Sequence, residues 1–248
     1  MKRSRLATLA FVLVAASLSA RPGNADEHRF RVSVGGGAAL GTVGWSATSN
    51  WEEHRETTEL EADYEAGLGP AFEIGLGVRV TQRFGLRAAV SWSRRDADAS
   101  VRARAPHPFF FDRPRGLETS VSGLEYRQLA SHLDLEWRPL VGRTEIIVFG
   151  GVCFLRVEAD LVERVEYDEE YPYDEISFHA AVTERARSDA AVGWSAGAEV
   201  SHALGRRVAL GLLARYTRAR VDLAPPGEDE TLLDAGGFHL MATLSVGF

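Results

Sequence analysis

The last eleven residues of the chain alternate between apolar side chains and side chains that are mostly small or polar. Every even position from Phe238 to Phe248 is apolar. The odd positions are His239, Met241, Thr243, Ser245 and Gly247. Successive side chains of a strand point to opposite faces, so this period of two predicts a strand with one apolar and one mixed face. Eleven residues is about the length that crosses a bilayer when a strand is tilted.

The same period of two recurs along the chain and predicts eight strands. The predicted strands lie at about residues 29–41, 69–80, 84–92, 126–138, 144–161, 190–203, 207–217 and 238–248. Four polar segments form the long connections: residues 44–66, 94–125 and 162–187, and a segment that contains Pro225-Pro226-Gly227. Long and short connections alternate, as in an eight-stranded antiparallel up-and-down transmembrane β-barrel. Pairing of the first strand with the last would close the all-β barrel and remove its free edges.

Three features decide which face is outside: the small residues of the mixed face, the positions of the aromatic residues, and the balance of charges on the mixed face. A soluble lipocalin-like barrel would bury the apolar face and expose the polar one. The mixed face is rich in Gly, Ala and Ser, which suit the narrow interior of an eight-stranded barrel. Aromatic residues of the apolar face cluster at the strand ends: Phe30, Phe84, Trp137 and Phe248 at the short turns, and Trp92, Trp194 and Tyr216 at the long connections. The first two features favour a membrane barrel with two interfacial girdles over a soluble one.

Long charged side chains on the mixed face are equal in number for the two signs. The arginines are Arg31, Arg79, Arg87, Arg156 and Arg215, and the carboxylates are Glu73, Asp134, Glu136, Glu158 and Glu199. Buried charges need partners, so this balance predicts an ion-paired network inside the barrel. The parity of the fifth strand places Cys153, the single cysteine, on the lipid face.

The N-terminus has the pattern of a secretory signal peptide at residues 1–25. Lys2, Arg3 and Arg5 precede an apolar stretch, and small residues precede a cleavage site after Ala25, with Ala20 as the alternative. The mature barrel domain would span residues 26–248. A single cysteine allows no internal disulfide. The net charge of −7 indicates no nucleic-acid partner.

With this strand pattern, loop asymmetry and terminal strand, the chain resembles the small bacterial outer-membrane β-barrel family, the eight-stranded OmpA-type and Opa-type barrels. The resemblance implies an outer-membrane location, with lipids and lipopolysaccharide as partners. It also implies that the last strand is read by the barrel-assembly machinery through Leu240, Leu244, Val246 and Phe248. We expect no peptidoglycan-binding domain after the barrel.

Candidate catalytic residues are sparse. Ser131-His132 and Ser201-His202 are adjacent in strands, so the two side chains of each pair would face opposite ways. His132 and Asp134 share a face, which predicts an interior hydrogen-bond network, and His239 is expected to fill the lumen. The sequence therefore predicts no catalytic residue, no cofactor and no metal site.

The long connections carry three further features. The third is acidic and tyrosine-rich around residues 167–175 and could hold Ca²⁺ or bridge lipopolysaccharide cations, although a solvated acidic loop is the simpler interpretation. The second contains Arg94, Arg95, Arg102 and Arg104, which could contact anionic headgroups or sugars or form ordinary surface charge. It also contains Phe109-Phe110-Phe111, which suggests a loop core, a membrane contact or a partner contact.

These observations predict a non-enzymatic outer-membrane anchor with a plugged interior. Its four long loops would serve surface adhesion, recognition or envelope stabilisation. Three alternatives remain at this stage: a narrow small-solute channel, a lipid-modifying enzyme, and a soluble periplasmic lipid carrier.

Overall fold

A computed structural model describes residues 29–223 and 231–248. The predicted signal peptide and the Pro225-Pro226-Gly227 segment lie outside the described residues. The strands are β1 (Phe30–Leu40), β2 (Val43–Glu53), β3 (Glu56–Ala66), β4 (Gly69–Arg79), β5 (Phe84–Ala105), β6 (Arg115–Leu140), β7 (Thr144–Glu169), β8 (Ile176–Arg187), β9 (Ala191–Ala203), β10 (Val208–Leu223) and β11 (Thr231–Gly247). Within the described ranges, no helix is long and apolar enough to cross a membrane.

Eight of these strands form a closed antiparallel barrel. The hydrogen-bonded ring runs β1-β4-β5-β6-β7-β9-β10-β11 and returns to β1. The first and last strands pair from Arg31 opposite Gly247 to Leu40 opposite Phe238. The predicted eight-stranded barrel and its closure by the terminal strand are therefore confirmed.

The strands extend far beyond the membrane, and the predicted long loops are largely β-structure. β6 and β7 each have 26 residues, whereas a tilted strand crosses a bilayer with about 9–11. The predicted first loop is the β2-β3 hairpin, which pairs with the outer part of β5. The predicted second loop is the outer parts of β5 and β6, joined by residues 106–114. The predicted third loop is the end of β7 paired with β8. The prediction of four long loops is wrong for these three segments.

The polarity of the inward-facing and outward-facing residues reverses along the length of the barrel. Towards the short turns, which we call the transmembrane half, apolar residues such as Leu133 and Leu135 are 57% and 58% exposed on the outer surface. Beyond Trp92, Trp194 and Tyr216, which we call the outer half, most inward residues are apolar, and the buried Arg95 is an exception. Here β5 buries every odd position from Ala97 to Ala105 and exposes the residues between them, from Asp98 to Arg104. The outer half therefore follows the pattern of a soluble barrel, because water replaces lipid around it.

The fifth predicted strand corresponds to β7. Because of this reversal of polarity, its odd-numbered residues face the inside of the barrel, whereas the sequence predicted that they face the lipid. Cys153 and Leu155 are fully buried inside the barrel, whereas Val152 and Phe154 are exposed outside. The apolar residues used to set the parity, 155–161, lie in the outer half, where apolar side chains point inward. The placement of Cys153 on the lipid face is wrong. Arg156 and Glu158 are consequently on the outer surface and do not belong to the interior network.

Candidate functional site: the filled lumen and the outer rim

A buried ion-pair network fills the lumen of the transmembrane half. Arg87 donates to Glu73 at 2.6 Å and to Glu199 at 2.9 Å. Arg215 contacts Glu73 at 3.0 Å and donates to Asp134 at 2.9 Å. The side chains of these five residues are at most 2% exposed. Such charges are tolerated because each has close partners of opposite sign.

The network continues towards the short turns. Arg31 and Arg138 both donate to Glu136, at 2.9 and 2.5 Å, and Arg79 donates to Glu145 at 2.9 Å. Five arginines and five carboxylates therefore interact, as predicted, but two members differ. Arg138 and Glu145 take the places that the sequence assigned to Arg156 and Glu158. Both replacements lie next to the short turn between β6 and β7 and within the predicted strands, but the sequence did not assign them to the network.

Aromatic side chains complete the filling of the lumen. The guanidinium carbons of Arg87 and Arg215 lie 5.1 and 4.6 Å from the ring centroid of Phe149, within the range of cation–π attraction. In the outer half, Trp45 stacks on Tyr64 with ring centroids 5.0 Å apart and contacts Tyr126 with ring centroids 5.5 Å apart. These rings belong to an apolar core formed by the inward residues of the outer half. Packed side chains thus fill the lumen at both levels.

The Ser131–His132 candidate pair is divided between the two surfaces of the barrel. Ser131 faces outward and His132 inward, as predicted. His132 Nε2 lies 2.9 Å from Ser91 Oγ, a contact that the sequence did not suggest. Both side chains are at most 3% exposed, and the nearby Asp134 binds Arg215 and Ser195 instead. A serine nucleophile needs an oriented base and access to substrate. Among the residues that the structure describes, no carboxylate hydrogen-bonds His132, and both members of the Ser91–His132 pair are buried.

The other two candidate histidines, His202 and His239, lie on opposite surfaces of the barrel. His202 faces outward and hydrogen-bonds Thr144 at 2.9 Å. His239 is 1% exposed in the lumen, as predicted. Among residues 29–223 and 231–248, no group of three or more His, Cys, Asp or Glu side chains could hold a metal ion.

The most exposed aromatic side chains outside the membrane gather at the outer end of the barrel. We define the outer rim as residues 51–58, 106–115 and 166–177. Phe109, Phe110, Phe111 and Tyr171 are 69%, 55%, 72% and 83% exposed. Phe109 contacts Tyr173 edge-on at 5.4 Å between centroids, and Tyr171 contacts the same ring at 6.0 Å. The predicted exposure of the phenylalanine run is correct, and it forms one patch with the tyrosines of another hairpin.

Arg115 holds the two hairpins of this patch together. Its side chain is 3% exposed and donates to the carbonyl oxygens of Pro106 and Tyr173, at 2.6 and 3.2 Å. It also donates to the Glu169 carboxylate at 2.5 Å. A third hairpin joins through Glu56, whose carboxylate accepts from the backbone N–H of Asp112 at 2.9 Å. Charge-assisted bonds of this kind fix the rim more strongly than neutral ones.

The outer rim is strongly acidic. Its three ranges contain ten carboxylates and three arginines. Tyr167 donates to Glu53 at 2.6 Å, and partial burial together with this bond raises the pKa of the phenol above its usual range. Aromatic faces therefore lie within a field of negative charge.

The arginines of the predicted second loop are divided between the two surfaces of the barrel. Arg94, Arg102 and Arg104 face outward, and Arg94 pairs with Glu125. Arg95 is 1% exposed inside the barrel and donates to the carbonyl oxygens of Gly41 and Gly236, at 3.2 and 3.4 Å. The prediction that all four lie in an exposed loop is wrong for Arg95.

Comparisons with known proteins agree with this architecture. The family model of the outer membrane protein beta-barrel domain matches residues 7–245. The solved structure of Neisserial surface protein A is 14% identical, covers 88% of this chain and 97% of its own, and has a TM-score of 0.44. The outer membrane protease OmpT of Escherichia coli is 9% identical, with 88% and 97% covered and a TM-score of 0.43. Outer membrane protein W of E. coli is 9% identical, with 91% and 100% covered and a TM-score of 0.38. No curated protein matches the chain.

The family match spans nearly the whole chain, and the barrel has the exposed apolar belt that lipid requires. The chain therefore belongs to the outer membrane protein beta-barrel domain family and resides in the bacterial outer membrane.

Proposed function

We propose that the protein is a non-enzymatic surface receptor that binds basic protein surfaces at its outer rim. The observation that carries this proposal is the patch of Phe109, Phe110, Phe111 and Tyr171, each more than half exposed. Contiguous exposed apolar patches that are surrounded by polar residues are typical of interaction sites. Aromatic residues are also the residues that most often dominate binding energy at protein interfaces.

The charge of the rim determines the chemistry of the partner. Ten carboxylates against three arginines attract a cationic surface and increase its rate of association. Lysine and arginine side chains of that partner can lie over the aromatic faces. An example already exists within the rim, where Arg113 lies 5.6 Å from the ring centroid of Phe110.

The way in which the rim is held favours recognition. Arg115 and Glu56 join three hairpins through hydrogen bonds, so little conformational freedom is lost when a partner binds. The filled lumen favours an anchoring role over a small-solute channel or a lipid carrier. The burial of Ser91 and His132 argues against a lipid-modifying enzyme that would use this pair.

Three further proposals concern how the protein reaches and occupies the membrane. Residues 1–25 act as a signal peptide, β11 with Phe248 is read by the barrel-assembly machinery, and outward charges above the outer girdle contact lipopolysaccharide. The last is supported by Arg94, Arg127 and Arg185, whose side chains all pair with Glu125 on the outer surface.

Binding of a basic peptide by the purified protein in phosphatidylcholine nanodiscs tests the proposed function. The probe is a fluorescent peptide of alternating arginine and leucine, and a glutamate–leucine peptide is its counterpart. We expect the triple variant Phe109→Ser/Phe110→Ser/Phe111→Ser to bind the arginine peptide at least tenfold more weakly. Phe178→Ser is the matched control, because Phe178 is 37% exposed on the wall of β8 and outside the rim's patch. Equal affinity of the triple variant and the parent, or equal binding of both peptides, would refute the proposal.

A further inference from the structure

A cavity lined by arginines lies at the opposite end of the barrel, among the short turns. Its volume is about 120 Å³, well above the roughly 10–15 Å³ that one water molecule needs. Seven arginines line it: Arg29, Arg31, Arg79, Arg138, Arg143, Arg206 and Arg207. Glu145 is the acidic residue in the lining. Short turns face the periplasm in outer-membrane barrels, so we call this space the periplasmic cavity.

Carboxylates do not balance the charge of this cavity. Glu136 pairs with Arg31 and Arg138. Glu145 pairs with Arg79 and lies 4.0 Å from the Nε atom of Arg138, beyond hydrogen-bond distance. Arg31 also approaches Glu199 at 3.5 Å. The remaining arginines of the lining include Arg143 and Arg207, which have no carboxylate within 4 Å among the residues that the structure describes. An excess of guanidinium charge therefore lies around one small space.

Some of the N–H donors in this lining have no acceptor. The side chain of Arg138 is 3% exposed, yet its Nε and Nη1 atoms have no hydrogen-bond partner within the described part of the chain. The Nε atom of Arg79 is also buried without a hydrogen-bond partner among the described residues. Buried donors without acceptors reduce stability, so an acceptor placed in the cavity would be bound favourably.

We propose that the periplasmic cavity binds a phosphate group. A phosphate carries several acceptor oxygens, and guanidinium groups bind such oxygens in pairs with a planar, two-pronged geometry. One phosphate could accept from Arg138 and Arg143 together and would offset part of the excess positive charge. This role is independent of the outer rim, which lies at the other end of the barrel.

Two sources of phosphate reach this position. Phe30, Phe84 and Phe248 are 44%, 46% and 62% exposed on the outer surface at the same end, where they form the inner aromatic girdle at headgroup level. A phospholipid headgroup of the inner leaflet is therefore close to the mouth of the cavity. Inorganic phosphate or a phosphorylated solute can enter from the periplasm.

Calorimetric titration tests the site with the full-length protein, purified without phosphate in a neutral detergent. Sodium phosphate is titrated into the parent and into Arg143→Gln/Arg207→Gln, with sodium chloride of matched ionic strength as the reference. We expect saturable phosphate binding that is at least tenfold weaker in the double variant. The matched control is Arg218→Gln/Arg220→Gln, in which two arginines of β10 that are 51% and 84% exposed are neutralised outside the cavity; it should bind phosphate like the parent.

A second arm separates the two sources. The same proteins are placed in phosphatidylcholine nanodiscs with and without phosphatidylglycerol, and retained lipid is measured by native mass spectrometry. Retention of phosphatidylglycerol that depends on Arg143 and Arg207 assigns the site to a headgroup, and phosphate binding alone assigns it to a soluble anion. If the double variant does not fold, Arg143→Gln alone, in the turn between β6 and β7, replaces it. The proposal is overturned if phosphate behaves like chloride and no lipid is retained, or if the folded variants bind as tightly as the parent.

Discussion

Arg215 and Arg218 lie three positions apart on β10 and experience opposite environments. Arg215 is fully buried in the lumen, where it binds Asp134 at 2.9 Å and Glu73 at 3.0 Å. Arg218 binds Asp234 at 2.8 Å on the outer surface, and both of these side chains are 51% exposed. The same substitution, arginine to methionine, therefore tests the two environments within one strand.

The expected losses of stability differ severalfold. Removing one partner of a buried ion pair leaves an uncompensated charge and costs about 3–5 kcal/mol. Removing one partner of an exposed pair costs about 0–1 kcal/mol. We therefore expect Arg215→Met to reduce the free energy of unfolding by about 3–5 kcal/mol and Arg218→Met to reduce it far less, because solvent screens the exposed pair.

Urea unfolding in phospholipid vesicles, followed by tryptophan fluorescence, measures both losses. With an unfolding slope of about 1–3 kcal/mol per molar urea, Arg215→Met should lower the midpoint by at least about 1 M. Because the loss comes from an uncompensated carboxylate, Asp134→Asn in the Arg215→Met background should restore part of it. Equal midpoint shifts for Arg215→Met and Arg218→Met, or no recovery in the double variant, would refute the idea that the buried network is a matched set of charges.

Three further predictions address assembly, orientation and pH. Phe248→Ala should reduce the amount of heat-modifiable barrel in the outer membrane while leaving peptide binding at the rim unchanged in the barrels that do assemble; normal assembly would remove this role. Cys153 should react with maleimide only after unfolding, whereas Phe154→Cys in a Cys153→Ala background should react in the folded barrel with a lipid-soluble maleimide; the reverse order would overturn the observed parity. The pKa of Tyr167 is raised in the folded protein. The stability that its neutral phenol contributes is therefore fully present below the pKa of the unfolded chain, near 10, and is lost as the pH rises through the folded-state pKa. Alkaline titration should therefore destabilise the parent more than Tyr167→Phe, and identical profiles would contradict the hydrogen bond to Glu53.

The barrel was predictable from the sequence because lipid imposes a strict contrast between the two faces of each strand. Residues 238–248 alternate without interruption, and their pairing with β1 follows from the need to close the sheet. Small residues inside the transmembrane half and aromatic residues at its ends completed the pattern. The assignment of inside and outside needed no tertiary information there, except in β7, whose first residues are apolar on both faces.

The strands of the outer half were not predicted because their apolar residues face inward and their charged residues face outward, the reverse of the pattern within the membrane. Residues 96–105 alternate charged or polar residues with alanine and valine, a period of two as regular as in the transmembrane half. Charged residues at alternate positions were interpreted as a loop because a strand surrounded by lipid would have an apolar outer face. A test for alternation that ignored its sign would have extended β5 to Ala105.

The outer rim lay beyond sequence reasoning for a different reason. The phenylalanine run at residues 109–111 marked an exposed feature, but its neighbours Tyr171 and Tyr173 come from another hairpin. Arg115 joins the two hairpins through two backbone carbonyl oxygens, and no residue pattern identifies such acceptors. The two hairpins extend from β6 and β7, which pair from Tyr126 opposite Ala159 towards the short turns, so the contact is between residues that are distant in sequence.

The reversal of sign along the strands connects the fold with the proposed function. Because the outer half has its own apolar core, it stands as a stiff extension of the membrane barrel and needs no lipid around it. From Trp92 to Ala105, β5 rises about 44 Å along the strand at about 3.4 Å per residue, which a tilt of about 35–45° reduces to roughly 30–35 Å above the outer girdle. Flexible loops of the same length would bring Phe109 and Tyr171 close to the membrane for part of the time and would lose entropy on binding. A rigid outer half instead holds these side chains beyond the lipid headgroups, where a large protein partner can reach them without contacting the bilayer.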